Sequence, residues 1–456
     1  MAARTSTSSD AGVALERLFD RYASGHRAIT VNFRTLAHWM PMGERATHYL
    51  HPYPAKLLPQ IPAFFLASNH LSSPGSTVLD PFCGSGTVLL ESVLSGRHAL
   101  GADSNPLAQL IARVKVTTLD PERVPSVAKA LVRRAASYRR ADPPEVVNIA
   151  HWFSPRLIDE LSRLRRAIET VQNAASKDLL LVCLSACARR VSFADPRISV
   201  PVRLRRNQYP LAHPLRRVSN RRLQALKTIS AFAEFQALVE ASVLRVKALR
   251  ELRTGDVVAR VVSDDARTLH RSLTTGTAAG ADLIITSPPY AGAQKYIRAS
   301  SLSIGWLGLG GSRSLRQLED ASIGREHFPK RALADIPITG LDDADRRIQR
   351  VARQNRTRAT IAATYLVEMK AALAEAVHCL RPGGHMVLVA GNNAICGIEF
   401  RTNSYLVALL EDLGMTTQLR LVDSIRSRGL MTRRNATASV ITREWVTVLK
   451  KEAGLS

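Results

Sequence analysis

A chain of 456 residues has room for two or three domains, or for one large domain carrying an insertion. With 46% hydrophobic residues it has ample material for a core, which excludes wholesale disorder. The formal net charge of +25, from 63 Lys plus Arg against 38 Asp plus Glu, points to a polyanionic partner, either nucleic acid or an acidic membrane face. Arg outnumbers Lys roughly five to one, which suits bidentate phosphate and base contacts. Codon bias in a GC-rich genome is the competing account of that excess. Five cysteines without paired CxxC spacing exclude a disulfide scaffold and a zinc ribbon, so no metal site is expected. Cys183 and Cys187, at i and i+4 in an apolar helical pattern, read as core. There is no signal-type N-terminus and no run of eighteen apolar residues. The chain therefore reads as soluble and cytoplasmic, with no membrane partner, which leaves nucleic acid as the polyanion.

Residues 1–40 read as a polar lead followed by a weakly helical stretch, with a mobile extreme N-terminus. A proline-punctuated segment, HPYPAKLLPQIPAFF, leads to a helix face marked by Leu57, Leu58, Ile61, Phe64 and Phe65. Thr77 to Asp80 is a short strand opening on a Gly-rich turn, and Leu89 to Leu94 is helical. Arg97 to Asp103 is a second strand ending in an acid, so residues 77–103 have the shape of a βαβ unit. Residues 120–250 are helical in pattern and poor in strand signals. Over 121–250 there are 25 basic against 10 acidic residues, so 15 of the 25 net charges sit there. Within that stretch, Pro196 to Arg222 breaks the helical pattern and carries eight arginines. Residues 256–268 and 281–290 return to strand character. Residues 296–360 look loop-like. Residues 361–380 form a helix, followed by an Arg381–Gly384 turn and a strand at 385–390. Residues 403–413 are helical, and 416–422 and 445–450 are closing strands. The pattern predicts an α/β fold, a doubly wound Rossmann-like sheet interrupted by a basic, mainly helical insertion. The expected divisions are 1–40, 41–119, 120–250 and 251–456.

Two motifs carry the chemistry. Asp80-Pro81-Phe82-Cys83-Gly84-Ser85-Gly86-Thr87 lies between a strand and a helix, where glycines permit a tight turn and close ligand approach. It lacks the lysine of a P-loop and the three-glycine dinucleotide fingerprint, and its Asp would repel a phosphate. Asp103, about twenty residues on, is placed to bind ribose hydroxyls. The pair fits a nucleoside cofactor without phosphates, S-adenosylmethionine. Thr286-Ser287-Pro288-Pro289-Tyr290 ends a later strand. Two prolines remove two N–H donors and leave acceptors, the Pro288 carbonyl and the Ser287 hydroxyl. Those acceptors suit an exocyclic amino group, and Tyr290 suits stacking on a flipped-out base.

DPFCGSGT together with TSPPY resembles the S-adenosylmethionine-dependent amino-methyltransferases of DNA, which modify cytosine N4 or adenine N6. HPYPAKLLPQIP is similar to the segment those enzymes carry before the glycine loop. The resemblance covers residues 48–118 and 256–450 and leaves the basic insertion outside. It implies that His51, Pro52, Tyr53, Pro54 and Lys56 wall the methionine end of the cofactor. It implies that Asp80, Pro81, Phe82, Gly84, Gly86 and Thr87 cradle it. Asp103, Asn105 and Pro106 would serve the ribose and adenine, and Asp265, with Asp264 as the alternative, would accept from the adenine amino group. Ser287, Pro288, Pro289 and Tyr290 would be catalytic, and Gly383-Gly384 would form a structural turn.

Ser-Pro-Pro-Tyr resembles the cytosine-N4 subgroup, which implies site-specific methylation of duplex DNA, as part of or derived from a restriction-modification system with a cognate endonuclease. Adenine N6 is the alternative. Cytosine C5 needs a thiolate nucleophile, and no cysteine follows a proline as such sites require. An RNA guanine-N2 methyltransferase and a DNA-binding protein without turnover are further alternatives. Only about fifty residues precede the cofactor half, too few for the RNA-binding module such RNA enzymes carry. Arg203, Arg205, Arg206, Arg216 and Arg217 are the candidate DNA contacts, with a solvated basic loop as the competing account.

Overall fold

A computed structural model describes residues 2–40, 45–54, 56–274, 280–292, 296–328, 335–424 and 443–453. Among the described residues ten strands appear in chain order: β1 (Ile29–Val31), β2 (Thr77–Asp80), β3 (His98–Ala102), β4 (Ala259–Ser263), β5 (Ala281–Thr286), β6 (Leu380–Ala390), β7 (Asn393–Ile395), β8 (Ile398–Phe400), β9 (Met415–Ser424) and β10 (Arg443–Lys451). Eight of them form one sheet in the order β1-β9-β10-β6-β5-β2-β3-β4, and β7 and β8 form a separate hairpin. All pairings in the large sheet are parallel except those of β10 with β6 and β9.

The strands are apolar on both sides because both faces are covered. Val78, Leu283, Ile285, Val387 and Val389 pack with Leu15, Phe64 and Phe65 from the helices Ala2–Gly25 and Gln60–Ala67. Their neighbours Leu79, Ile284, Met386 and Leu388 pack on the opposite face with Leu366, Met369 and Leu373 of the helix Arg356–Cys379. This alternation is the period of two expected of strands. It gives the doubly wound sheet that the motifs predict.

The sheet grows outward from β2 in two directions. β3 and β4 follow on one side, and β5, β6 and the later strands follow on the other. The order therefore reverses between β2 and β5, and such a switch point opens a crevice outside the carboxyl ends of the strands.

The insertion enters after the helix Pro106–Val116 and leaves before β4. Its main helices are Arg123–Ser137, Pro155–Glu169, Ala174–Val191, Pro214–Ala225 and Ala231–Leu252. All of them except Pro214–Ala225, whose buried residue is Ser219, share one core with Leu107 and Ile111 of the preceding helix and with Ile304 and Trp306 further on. Cys183 and Cys187 are buried in that core. The insertion is thus fastened to the cofactor half through apolar packing.

Some expectations need correction or sharpening. The polar, weakly helical lead is one helix over Ala2–Gly25, and β1 adds a parallel edge strand to β9 that the sequence pattern does not show. The buried residues Ala11, Leu15 and Tyr22 form the stripe that docks it. Residues 296–360 are not mainly loop. They contain helices at Tyr296–Leu307, Leu315–Ala321 and Asp342–Gln354, while 329–334 lie outside the described residues. Repeated glycines hide the helical period there, yet Trp306 is fully buried edge-on against Phe153, with ring centroids 5.3 Å apart. Gly383 and Gly384 fall in a looped-out stretch of β6: Ala281 and Leu283 of β5 pair with Leu380 and His385, so residues 381–384 have no partner in the ladder, and Gly383 has φ +76°. The break at Pro196–Arg222 also ends early, since His213 caps the helix Pro214–Ala225.

Candidate active site

β2 ends at Asp80, and the chain then turns through Gly86 into the helix Thr87–Leu94. Gly86 has φ +78°, and a Cβ there would sit 2.9 Å from the Cα and Cβ of Ala112. Only glycine lets the loop press this closely on the helix Pro106–Val116. Asp80 turns inward. It accepts hydrogen bonds from Thr286 Oγ1 at 2.7 Å and from the Phe82 amide at 3.1 Å. Burial raises its pKa to about 7 in spite of these bonds. Asp103, just past β3, accepts from the Gly84 amide at 2.9 Å and the Asn105 amide at 2.8 Å. Burial raises its pKa to about 6. Asn105 caps the following helix through Leu107, and its Nδ2 donates to Tyr53 Oη at 3.1 Å and Ser300 Oγ at 3.0 Å. One side chain thus ties the 45–54 segment to the helix Tyr296–Leu307.

The crevice at the switch point is a cleft that the ends of β2, β3 and β5 open onto. Nine of the residues singled out in the sequence line it: Tyr53, Pro81, Phe82, Gly84, Asp103, Asn105, Asp265, Ser287 and Pro289. Of the two acids considered for the same role, Asp265 is in the wall, whereas Asp264 is exposed and pairs with Arg313 at 3.7 Å. The other residues stand behind or beside the wall. His51 does not reach the cleft: its Nε2 meets Ser185 Oγ of the insertion at 2.8 Å, and burial lowers its pKa to about 3. Lys56 spends its ammonium on the carbonyls of His51, at 2.7 Å, and His48, at 3.2 Å. Burial lowers its pKa to about 8. Asp80, Gly86, Thr87 and Pro106 shape the turns and helix starts, and Pro54 also lies outside the wall. Pro288 and Tyr290 complete the turn beyond the cleft, and burial pushes the Tyr290 hydroxyl up.

Sequence reasoning misses six lining residues: Ser104, Ala266, Tyr296, Ala321, Ser322 and Ile323. Ser104 and Ala266 are chain neighbours of named residues and could have been found. Tyr296 and residues 321–323 come from the stretch read as loop and carry no motif.

The basic insertion also sorts its arginines. Arg203 is not free for DNA, since it donates to the His151 carbonyl and lies over the Phe193 ring at 4.8 Å. Arg216 donates to the Tyr209 carbonyl at 2.8 Å. Arg205, Arg206 and Arg217 are exposed.

The lining includes two carboxylates, Asp103 and Asp265, and no Lys or Arg among the described residues. Such a wall disfavours phosphates and favours a cationic ligand with hydroxyl donors. Residues 43–113 match the DNA methylase family model N6_N4_Mtase. Over that segment the chain is similar to DNA methylases. It is 28% identical over 156 residues to the Type II methyltransferase M.MvaI of Kocuria varians, covering 32% of this chain and 34% of that protein. It is 30% identical over 93 residues to the Type II methyltransferase M.MjaII of Methanocaldococcus jannaschii, covering 20% and 17%. The matches thus span about a third or less of either relative's length. The rRNA methyltransferase aviRa from Streptomyces viridochromogenes aligns over 89% of this chain and 90% of its own, at 12% identity and a TM-score of 0.29, a likeness too loose to carry an argument. S-adenosylmethionine is the methyl donor that the likeness to methyltransferases implies, and the acidic, base-free lining fits its sulfonium cation and ribose. Among the described residues no helix is long and apolar enough to cross a membrane, and no cluster of His, Cys, Asp or Glu could hold a metal.

Replacing Gly86 with Ala tests the glycine loop. Gly86→Ala should cost roughly 1–3 kcal/mol, because both φ and the contact with Ala112 are violated. A thermal melt indistinguishable from wild type would contradict this placement.

Proposed function

We propose that this protein transfers a methyl group from S-adenosylmethionine to the N4 amino group of cytosine in duplex DNA. The observation that carries the reading is that one cleft is lined both by Asp103 and Asp265 and by Ser287 and Pro289 of the Ser-Pro-Pro-Tyr turn. Bound S-adenosylmethionine supplies an electrophilic methyl group. Asp103 would accept from the ribose hydroxyls, and Asp265 from the adenine amino group. The Ser287 hydroxyl and the Pro288 carbonyl would accept the two protons of the target amino group, directing its lone pair at the methyl carbon. The new N–C bond forms as the S–C bond breaks, and the amino group releases one proton to solvent. No covalent enzyme intermediate is required, and the buried cysteines are not used. Tyr290 would stack on the flipped base.

Serine in place of a carboxylate ahead of the prolines supports cytosine N4; adenine N6 is the second reading, because its amino group presents the same donors. The exposed Arg205, Arg206 and Arg217, on an insertion holding most of the net charge, support duplex DNA as the polyanion.

Expression in a methylation-free host, followed by single-molecule sequencing of its genomic DNA, should show N4-methylcytosine in a short fixed context. N6-methyladenine would select the second reading, and no mark would overturn both. Ser287→Ala should lower transfer by roughly tenfold or more while cofactor affinity is retained; collapse of cofactor binding would show that the assigned role is wrong. Neutralising Arg205, Arg206 and Arg217 together should make the salt dependence of DNA binding shallower by roughly two to three in log–log slope. An unchanged slope would make these arginines a solvated face.

A further inference from the structure

Residues 321–326 follow the helix Leu315–Ala321 and touch four parts of the site. Ala321, Ser322 and Ile323 line the cleft. Ser322 Oγ lies 3.3 Å from Ser104 Oγ, next to Asp103, and also donates to the Leu318 carbonyl at 3.0 Å. Gly324 has φ +79°, and a Cβ there would come within 2.8 Å of the Tyr290 carbonyl oxygen. Its own carbonyl accepts from the Gly292 amide at 3.2 Å. The segment therefore runs from the Asp103 wall, across the cleft, to the Ser287–Tyr290 turn.

What holds it there is a carboxylate that does not line the cleft. Glu368, on the helix Arg356–Cys379, accepts from Arg325 Nη1 with both oxygens, at 2.7 and 2.9 Å. It also accepts from Arg267 Nη1 at 3.3 Å. Arg267 in turn grips both oxygens of Asp265, through Nε at 2.9 and 3.1 Å and Nη2 at 2.9 Å. The same Nη2 donates to the Ala321 carbonyl at 2.9 Å. A second pair, Arg358 with Glu326 at 3.4 Å, fastens the segment to the same helix. The side chains of Arg325 and Glu368 are each only 15% exposed, so solvent screens their attraction poorly. Removing the Glu368 charge would leave Arg267 and Arg325 facing each other without the carboxylate between them.

We propose that residues 321–326 are a strap that closes the cofactor cleft and sets the Ser287–Tyr290 turn against it, with Glu368 as the positioning residue that holds strap and Asp265 together. This rests on the cleft being the S-adenosylmethionine site. The strap joins two functions through one backbone: its first half walls the cofactor, and Gly324 backs the turn that presents the amino-group acceptors. The Arg267 guanidinium both orients the Asp265 carboxylate and pins the start of the strap, so a bound cofactor and an ordered strap favour each other.

The test is calorimetric titration of S-adenosylmethionine into the full chain, alongside Glu368→Gln and Glu368→Asp. Wild type should bind. Glu368→Gln should weaken binding about tenfold, and Glu368→Asp, which keeps the charge, should recover most of the loss. Equal affinity in wild type and Glu368→Gln would overturn the strap, whereas failure of wild type to bind would instead remove the cofactor reading on which it rests. Hydrogen exchange on wild type needs no variant to fold: amides of 321–326 should gain protection when S-adenosylmethionine is added, and exchange unchanged by saturating cofactor would overturn the proposal. Gly324→Ala should lower methyl transfer to unmethylated duplex DNA by about tenfold or more, because the added carbon displaces the Tyr290 carbonyl. Unaltered transfer would overturn the link between strap and turn.

Discussion

The hydrogen bond from Thr286 to Asp80 joins the two strands between which the sheet reverses its order. Thr286 closes β5 and Asp80 closes β2, so this single contact aligns the carboxyl ends from which both signature turns depart. The glycine loop leaves one strand and the Ser-Pro-Pro-Tyr turn leaves the other. A buried carboxyl that does not line the cleft, together with the β2–β5 ladder, sets how they stand to each other. Its pKa near 7 shows how strongly burial works against its charge. The hydroxyl and the Phe82 amide hold it in place despite that cost.

Charge is divided sharply across the molecule. The cleft wall has acids and no described base, while the insertion carries 15 of the 25 net positive charges. A cationic, phosphate-free cofactor and a polyanionic macromolecule place opposite demands on their binding surfaces. Under the proposed function, binding them on two parts of the fold would satisfy both. The two parts remain one mechanical unit, because the insertion helices share their core with the helix that follows Asp103. Asn105 makes a different join in polar form, tying Tyr53 of the 45–54 segment to Ser300 of the helix Tyr296–Leu307.

The sequence makes the two turns legible because their chemistry is local. Proline and glycine fix backbone geometry wherever they fall, and an acid after a short strand has few positions available to it. The sheet is legible for the same reason, since buried strands such as Ala281–Thr286 are nearly continuous apolar runs. The far wall of the cleft is not legible. Tyr296, Ser322 and Ile323 reach it through tertiary packing around Trp306 and through the ion pairs of Glu368, none of which leaves a periodic signal. His51 and Lys56 show the reverse problem. Their motif is recognisable, but burial turns one toward Ser185 and the other onto backbone carbonyls. Among the arginines, composition cannot separate Arg203, which braces Phe193 and His151, from its exposed neighbours Arg205 and Arg206.

The most direct measurement of the central claim is a comparison of ligands at this cleft. S-adenosylmethionine and ATP would each be titrated into the full chain and into Asp103→Asn over a range of pH. The acidic wall predicts binding of S-adenosylmethionine and none of ATP, with affinity weakened in Asp103→Asn. Ionised Asp103 only accepts hydrogen bonds, so wild-type affinity should rise as pH increases through its pKa of about 6 and fall below it. Binding of ATP in preference to S-adenosylmethionine, or an Asp103→Asn affinity equal to wild type, would contradict the account.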